Sequence, residues 1–386
     1  MSAIPIIDTD AHLTEPPDLW TSRLPSKWID EAPRVETDDN GLVRWRIGNR
    51  WGPRVGATSN AGRYYVPDCP ETFDEIDPAC YEAGSRLQWM DRYGILAQVV
   101  YSNVLAFEGH AFLALRDESL RAACVQAYND YLVDFASQSP DRFILVANLP
   151  YWDIAATVKE IERCAAAGHR SLLWAATFEK LGLPHHTDRH WDPVYETAQA
   201  TGMAINFHVG VGKSDEEMNQ AHMRGGSFDV EHNTQRSALG FLSNATTIAG
   251  LIMSGLCDRF PRLNFVSVES GFGYVPYLLE SLDWQWRGAG ADSTHPNRLL
   301  PSEYFLRQIY CTLWFETQNL SALATYADNV MFETDFPHPT SLTPGPKSHA
   351  LDPDKVALRL TEQVGTEVAR KVLYENAARL YGANPR

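Results

Sequence analysis

The chain has 386 residues, 44% of them hydrophobic and 21% charged, a balance typical of folded globular proteins rather than disordered or fibrous ones. Its 33 basic and 49 acidic residues give a net charge of −16, which disfavours nucleic acid and anionic membranes as partners. The length fits one large domain or two ordinary ones.

The cysteines and the N-terminus bear on the compartment of the protein. No two cysteines form a CxxC pair or another short paired spacing, so we expect free thiols in a reducing environment. No basic segment precedes a long apolar stretch at the N-terminus, and no window approaches the roughly 18 uninterrupted apolar residues of a membrane span. We therefore expect a cytoplasmic protein that is neither exported nor anchored in a membrane.

Eight short apolar runs, rich in β-branched residues, recur along the chain and predict strands. They lie at 4–8, 97–103, 143–150, 171–176, 204–210, 264–270, 309–315 and 330–336. Between most of them, as at 118–138 and 155–169, apolar residues recur at three- and four-residue intervals, which predicts helices. Continuously apolar strands that alternate with helices indicate a parallel sheet covered on both faces. We therefore predict an α/β protein with a closed (β/α)8 barrel.

An open doubly wound sheet is the main alternative to the barrel. It is less favoured because no GxGxxG or GxxxxGK[ST] segment follows the first strand. We predict that residues 21–85 form a hairpin and an irregular insertion between strands one and two. Residues 352–386 are predicted to form two helices packed on the outside or base of the barrel, within one domain spanning 1–386.

Polar side chains follow four of the predicted strands. Asp10 and His12 end the first strand with a spacing of two, which turns both side chains toward the same face. His208, Glu269 and Asp335 end strands five, six and eight. In a (β/α)8 barrel these ends converge on one rim, where the working residues lie. We therefore expect all five side chains to meet around a metal ion.

The sequence resembles the amidohydrolase superfamily, in the branch that includes aminocarboxymuconate-semialdehyde decarboxylase and gamma-resorcylate decarboxylase. The resemblance extends over nearly the whole chain. It rests on DTDAHLTEPPDLW (8–20), RLQWMDRYGILAQVVYS (86–102), HWDPVYETAQATGMAINFH (190–208), FPRLNFVSVESGFGYVPYLLESLD (260–283), MFETDFPHP (331–339) and VLYENAARLYG (372–382).

The resemblance implies roles for the strand-end residues. Asp10, His12 and His208 match metal ligands, and Asp335 matches an aspartate that binds metal and handles the proton of bound water. Asp10 replaces the more usual histidine, although a carboxylate is known there, and Glu269 stands where relatives usually have a catalytic histidine. The fourth strand lacks the lysine whose carbamylated form bridges two metals elsewhere in the superfamily.

The charge of the predicted site bears on the reaction. Asp10, Glu269 and Asp335 sum to −3, so one divalent ion leaves −1 and two leave +1. Burying net negative charge is costly, so two ions, or one ion with protonated Glu269, would relieve the site. Because an ionised Glu269 would oppose a substrate carboxylate, we place hydrolysis of an amide, ester or thioester of an apolar or aromatic acid first. Decarboxylation of an aromatic or unsaturated acid is the alternative, and ligand binding without turnover is a third hypothesis.

These hypotheses assign different tasks to the same residues. In hydrolysis Asp335 would take the proton of a metal-bound water, and Glu269 would bind a second metal or act as a general acid. In decarboxylation Asp335 or Glu269 would handle the proton that replaces carbon dioxide. We expect one or two divalent ions per chain: zinc by family likeness, with iron or manganese open because mixed imidazole and carboxylate ligands suit all three. The partner is a small-molecule substrate, and family likeness favours a homodimer.

Further residues receive secondary predictions. Glu15 either reaches the barrel mouth or begins a helix. His338 is predicted to orient Asp335 or contact substrate, and the alternative is that it only fixes its loop. The long loops at 177–190 and 210–237 suit a lid or a binding surface. Their histidines are predicted to be loop residues rather than ligands: His185, His186, His190, His222 and His232. Aromatic residues that either wall an apolar substrate pocket or form core and oligomer contacts are Trp45, Trp51, Tyr64, Tyr65, Trp284 and Trp286.

Overall fold

Eight parallel strands form one sheet whose first and last strands meet. The computed structural model describes residues 4–103, 107–209 and 229–383. The sheet order is β1-β5-β6-β7-β8-β9-β10-β11, and a bridge between Ala11 and Phe336 joins its two edges. Its strands are β1 (Ile6–Leu13), β5 (Ile95–Ser102), β6 (Phe143–Ala147), β7 (Ser171–Leu173), β8 (Ala204–His208), β9 (Phe265–Val268), β10 (Ile309–Leu313) and β11 (Val330–Phe332). The predicted (β/α)8 barrel is confirmed.

Both faces of the barrel sheet are buried. Ile7, Val99 and Met331 belong to an inner apolar cluster, whereas their neighbours Ile6 and Val100 belong to a larger cluster packed beneath the helices. Successive residues of a strand point to opposite faces. A strand covered on both sides therefore needs apolar residues at nearly every position, which explains the continuous runs in the sequence.

Helices surround the barrel, and an aspartate side chain caps the N-terminus of several of them. Asp117, for example, accepts hydrogen bonds from the backbone N of Ser119 and Leu120. The helices are α1 (Ala83–Arg92), α2 (Glu118–Ala136), α3 (Ile154–Ala167), α4 (Asp192–Thr201), α5 (Val230–Gly240), α6 (Ser243–Met253), α7 (Leu256–Arg259), α8 (Val275–Gly288), α9 (Ala291–Thr294), α10 (Pro301–Gln308), α11 (Leu323–Tyr326), α12 (Pro353–Val364), α13 (Thr366–Arg370) and α14 (Asn376–Tyr381). Across the described ranges, none has the length and apolar character that crossing a bilayer requires.

The segment between β1 and β5 contains a small antiparallel sheet. Its strands are β2 (Arg34–Thr37), β3 (Val43–Ile47) and β4 (Arg50–Arg54), in that order. The predicted hairpin corresponds to β3 and β4, and β2 adds a third strand that lacks a strongly apolar run. Trp45 of β3 is fully buried and packs edge-on against Trp20, with ring centroids 5.6 Å apart. Trp45 is therefore a core residue.

The C-terminal segment seals the base of the barrel. After α12, a continuous helical stretch runs through α13, a π-helical turn at Lys371–Glu375 and α14. Tyr381 of α14 lies with the inner apolar cluster, and its hydroxyl is 3.4 Å from Asn206 Nδ2 of β8. Asn376 is fully buried and donates to the backbone oxygens of Ala327 at 2.6 Å and Val330 at 2.7 Å. This side chain attaches α14 to the start of β11.

We predict that Asn376→Ala lowers the stability of the barrel. The change leaves two buried carbonyl oxygens without a donor, at a cost of about 2 to 5 kcal/mol in total. Urea unfolding followed by tryptophan fluorescence should show a lower midpoint, while Glu362→Ala at an exposed position of α12 should not shift it. Equal midpoints for the two variants would show that α14 does not stabilise the barrel.

Candidate metal centre

Four strand ends bring the predicted residues together. Asp10 and His12 belong to β1, His208 ends β8, Glu269 follows β9, and Asp335 lies three residues after β11. All five are buried. Their ligand atoms form overlapping groups within 4.8 Å, one of Asp10, His12 and His208 and another of Asp10, Glu269 and Asp335. The side chains that sequence reasoning selected therefore occupy one cluster at the barrel rim.

A β-bulge in β1 gives Asp10 its inward direction. Asp8 pairs with Gln98 and Ala11 pairs with Val100, so β1 has one more residue than β5 between the two pairs. The extra residue reverses the alternation of side chains along the strand. As a result Asp8 faces the helices outside the barrel, whereas Asp10 faces the cluster. Sequence reasoning missed this bulge because a strict two-residue period describes each half of the strand equally well.

Two imidazole rings face the same point through their Nε2 atoms. His12 Nδ1 lies 2.6 Å from the backbone oxygen of Ser102, and His208 Nδ1 lies 2.9 Å from that of Val209. Because a carbonyl oxygen only accepts hydrogen bonds, each Nδ1 carries a proton. The Nε2 atoms lie 3.2 Å from each other, and each also lies 3.2 to 3.3 Å from an Asp10 oxygen. Neutral rings in this orientation are typical of metal-binding histidines.

The carboxylates lack the donors that buried anions require. Within the described residues, no backbone amide or hydroxyl donates to either Asp10 oxygen, whose neighbours are the two Nε2 atoms, and Asp335 Oδ1 lies against His338 Nδ1. Asp335 Oδ2 accepts from the Thr340 hydroxyl at 3.1 Å. An uncompensated buried carboxylate is costly, and a divalent cation would compensate it. Two imidazole nitrogens and two carboxylates suit zinc, iron or manganese. The residues present therefore fit a metal ion.

Without a cation, bound protons offset the negative charge of the clustered carboxylates. Burial opposes protonation of His208, but the adjacent Asp10 carboxylate outweighs it and raises the pKa of His208 to about 9. Burial, and then the neighbouring carboxylate of Asp335, raises the pKa of Glu269 well above its usual range. Burial and the Asp10 charge do the same for the pKa of Asp335. Protons therefore occupy a region that a cation would otherwise neutralise.

Glu269 and Asp335 share an uncommon backbone conformation. Their φ angles are +52° and +58°, in the left-handed region that residues other than glycine seldom adopt. The Asp335 backbone N donates to the backbone oxygen of Asp10 at 2.9 Å, and the Glu269 backbone N donates to Glu333 Oε2 at 3.2 Å. Such strain persists where surrounding contacts enforce it, and it is concentrated at functional sites.

His338 contacts both Asp335 and the first imidazole. Its Nδ1 lies 2.7 Å from Asp335 Oδ1, and its ring stacks on His12 with centroids 3.9 Å apart. Its Nε2 lies 3.0 Å from Asn103 Oδ1 and therefore donates to that amide oxygen. A proton must then lie between His338 Nδ1 and Asp335. Because burial lowers the pKa of His338 to about 3, this proton belongs to Asp335.

Several contributors to the cluster were not selected from the sequence. Glu333, the residue that follows β11, is fully buried, and burial raises its pKa well above the usual range. Asn103 holds His338, while the side chain of Glu15 accepts from the Asn103 backbone N at 3.2 Å. Glu15 is therefore a buried support for the end of β5 rather than a helix start. The motif signal for Glu333 was present in FETD, but only the fold shows that its side chain points inward.

The remaining secondary predictions divide between core, surface and loop. Trp286 is buried with its ring centroid 5.8 Å from that of His295, and Trp284 is 76% exposed. Trp51 stacks beneath the Arg46 guanidinium, 4.7 Å from the ring centroid. His222 lies outside the described residues. None of the other four loop histidines belongs to a candidate metal group in the described ranges: His185, His186, His190 and His232.

A network outside the barrel holds β1 and β11 in register. The Asp8 carboxylate accepts from the Thr334 backbone N at 2.7 Å, the Thr334 hydroxyl at 2.6 Å and Gln98 Nε2 at 2.8 Å. The buried Arg86 guanidinium donates to Gln98 Oε1 at 3.0 Å and to the His12 backbone oxygen at 2.6 Å. The network therefore fixes the strands that carry Asp10, His12 and Asp335 from the side opposite to the cluster.

We predict that Arg86→Met destabilises the protein by about 3 to 5 kcal/mol, because it leaves buried hydrogen-bond acceptors unpaired. The thermal unfolding midpoint should fall relative to both the parent protein and Arg92→Met, an exposed change on the same helix. An Arg86→Met protein as stable as Arg92→Met would rule out this role for the guanidinium.

Comparison with known proteins identifies the family. The profile of the family described as Amidohydrolase matches residues 7–383. The chain is 26% identical over 266 residues to gamma-resorcylate decarboxylase from a Rhizobium species, covering 66% of this chain and 76% of that protein. An amidohydrolase from Mycobacterium avium subsp. paratuberculosis has a similar structure, with a TM-score of 0.73, 21% identity and coverage of 99% of this chain and 100% of that one.

A dihydroxybenzoic acid decarboxylase from Polaromonas, solved with bound manganese and the inhibitor 2-nitroresorcinol, also shares the fold. Its TM-score is 0.60 at 19% identity, covering 98% of this chain and 97% of that one. These likenesses to solved structures support the barrel assignment, and the profile match confirms the resemblance found in the sequence. The chain belongs to the amidohydrolase family and is an enzyme of that superfamily.

Proposed function

We propose that the protein is a metal-dependent, non-oxidative decarboxylase of an aromatic or unsaturated carboxylic acid. One observation carries the proposal: two inward-facing imidazoles and two donor-poor carboxylates meet at the barrel rim of a chain similar to gamma-resorcylate decarboxylase. The comparisons favour this alternative over the hydrolytic interpretation that sequence reasoning placed first.

Burial changes the charge of Glu269 that the hydrolytic interpretation assumes. That interpretation requires an ionised Glu269, which would repel a substrate carboxylate. Burial and Asp335 raise the pKa of Glu269 well above its usual range, so the protonated form is favoured. Asp335 likewise keeps its proton, because burial and the Asp10 charge raise its pKa well above the usual range. Among the proposed ligands Asp10 then contributes −1, and one divalent ion leaves +1. A centre without net negative charge tolerates a substrate carboxylate, so a single ion and a protonated Glu269 suit decarboxylation.

In this proposal Asp10, His12, His208 and Asp335 hold one divalent ion, and Glu269 lies at its edge. When bound, the ion supplies positive charge that orients the substrate carboxylate and a neighbouring oxygen. We prefer manganese to zinc or iron because the similar Polaromonas decarboxylase was solved with manganese. Zinc, the first choice from family likeness, has no specific support.

The chain's own residues manage the proton. In decarboxylation the bond between the carboxyl carbon and its neighbour breaks, carbon dioxide leaves, and a proton takes its place on that neighbour. Asp335 is the candidate donor because His338 Nδ1 and the Thr340 hydroxyl hold its two oxygens at 2.7 and 3.1 Å. Asn103 fixes the tautomer of His338 and so keeps the proton on Asp335. The same positioning serves reprotonation of Asp335 after each turnover.

We predict that carbon dioxide release from hydroxylated benzoates is lost after chelation and restored by Mn²⁺. Asp335→Asn should lower kcat by about 10² to 10⁴, the usual contribution of a positioned general acid. Asp141→Asn, an exposed change elsewhere, should leave kcat unchanged. The assay pairs carbon dioxide detection with hydrolysis of aryl esters and amides under the same conditions. Metal-dependent hydrolysis without carbon dioxide release would favour the hydrolytic interpretation.

We predict that Mn²⁺ binding tightens as the pH rises from 6 to 9 and releases protons. In the metal-free protein the pKa of His208 is about 9, so its imidazole is protonated below that pH and must lose the proton to bind metal. Each proton released changes the apparent affinity by about tenfold per pH unit. Calorimetry in two buffers of different ionisation enthalpy measures this release. His208→Gln should bind more weakly and release fewer protons, whereas a pH-independent affinity would contradict the assignment.

A further inference from the structure

A cavity of 780 Å³ lies on the outer face of the barrel, beside β10 and β11. Leu313 and Phe332 form its inner wall, and both belong to the apolar cluster between barrel and helices. Their strand neighbours Thr312 and Glu333 point into the barrel instead, because alternate residues face opposite sides. The strands therefore separate this cavity from the candidate metal centre. Its size falls within the range of about 300 to 1,000 Å³ that small-molecule sites occupy.

The other walls come from distant parts of the chain and are largely apolar. The lining includes Phe241, which directly follows α5, and Leu360 of α12, together with Trp314 and Phe315 of the loop after β10. The Phe241 ring lies 5.3 Å from that of Trp314 and 5.7 Å from that of Phe315. Phe315 is nevertheless 51% exposed. Such a surface suits the flat or chain-like body of an apolar molecule.

The polar groups of the cavity favour an anion. Lys347 and Arg359 line it, and neither forms an ion pair within the described ranges. Glu316, the one carboxylate among the described lining residues, already accepts from the backbone N of Phe272 at 2.6 Å and of Gly273 at 3.1 Å. Two cations without a carboxylate partner, on a chain of net charge −16, form a local positive region. An anionic head group would complement that region.

One lining residue connects the cavity to the catalytic cluster. Thr340 contributes to the wall, and its hydroxyl donates to Asp335 Oδ2 at 3.1 Å. Tyr65, from the segment between β1 and β5, also lines the cavity, and the Lys347 ammonium lies 5.3 Å from its ring centroid. A ligand that displaces the Thr340 loop would therefore change the hydrogen bonding of Asp335 without entering the barrel.

We propose that this cavity is a second ligand site, which binds an amphipathic anion consisting of an apolar ring system or acyl chain with a carboxylate or sulfonate head. The body packs between Phe241 and Leu360, and the head lies against Lys347 and Arg359. Occupancy is transmitted to the metal centre through Thr340. The site does not depend on which reaction the enzyme catalyses.

The test uses 1-anilinonaphthalene-8-sulfonate, whose fluorescence rises in apolar surroundings. The parent protein should bind one probe per chain. Ala238→Trp places a large ring in the cavity wall and should weaken binding at least tenfold, whereas Leu239→Trp, an exposed neighbour on α5 outside the lining, should not. Lys347→Gln combined with Arg359→Gln should remove the salt dependence of binding. Unchanged affinity in Ala238→Trp, with or without the double variant, overturns the site.

Coupling is tested by titrating Mn²⁺ with and without the probe. Linkage requires that the probe and the metal change each other's affinity by the same factor. A factor that differs from one in the parent protein and returns to one in Thr340→Val supports transmission through the hydroxyl. A factor of one in the parent protein refutes it. Displacement of the probe by dodecanoate or by 2-naphthoate distinguishes an acyl chain from a ring system as the preferred body.

Discussion

The contact between the first and last barrel strands is the constraint on which the site depends. On the outer side, Asp8 accepts two hydrogen bonds from Thr334. On the inner side, the carboxyl groups of Asp10 and Asp335 take part in the cluster, while the Asp335 backbone N donates to the backbone oxygen of Asp10. The bulge after Asp8 makes both functions available to one short segment, because it turns carboxylates two positions apart to opposite faces. The contacts that close the barrel therefore also bring Asp10 and Asp335 together.

The same closure concentrates negative charge. Asp10, Glu269, Glu333 and Asp335 are all buried at one end of the barrel, where water cannot solvate them. Folding must neutralise most of that charge by protons, by His208 or by a cation. The metal-free cluster uses the first two, as the raised pKa values of Glu269 and His208 show. A metal ion would replace protons that the fold already holds, so metal binding and protonation are linked by the architecture itself.

The sequence predicted the barrel and the five strand-end residues because both signals are local. Apolar runs mark strands, and each of the polar residues that meet at the rim lies at or just past the end of a predicted run. What could not be predicted depends on contacts between distant segments. Arg86 reads as an ordinary helix residue until α1 packs against His12, and Asn103 acquires its role only when β5 lies beside the His338 loop. Strand β2 was missed because Arg34–Thr37 pairs along an exposed edge and needs few apolar residues.

Burial changes the charge of Glu269, and with it the reaction that the site favours. From composition alone, Glu269 counts as a negative charge, and a negative centre disfavours a substrate carboxylate. The structure surrounds Glu269 with Asp335, Asp10 and His208 in a desolvated pocket, where the proton is retained. Its left-handed backbone shows that the surrounding contacts enforce this position at a conformational cost. A carboxyl group held neutral beside a metal site can donate a hydrogen bond to a substrate carboxylate instead of repelling it. The glutamate that argued for hydrolysis in the sequence therefore supports decarboxylation in the folded protein.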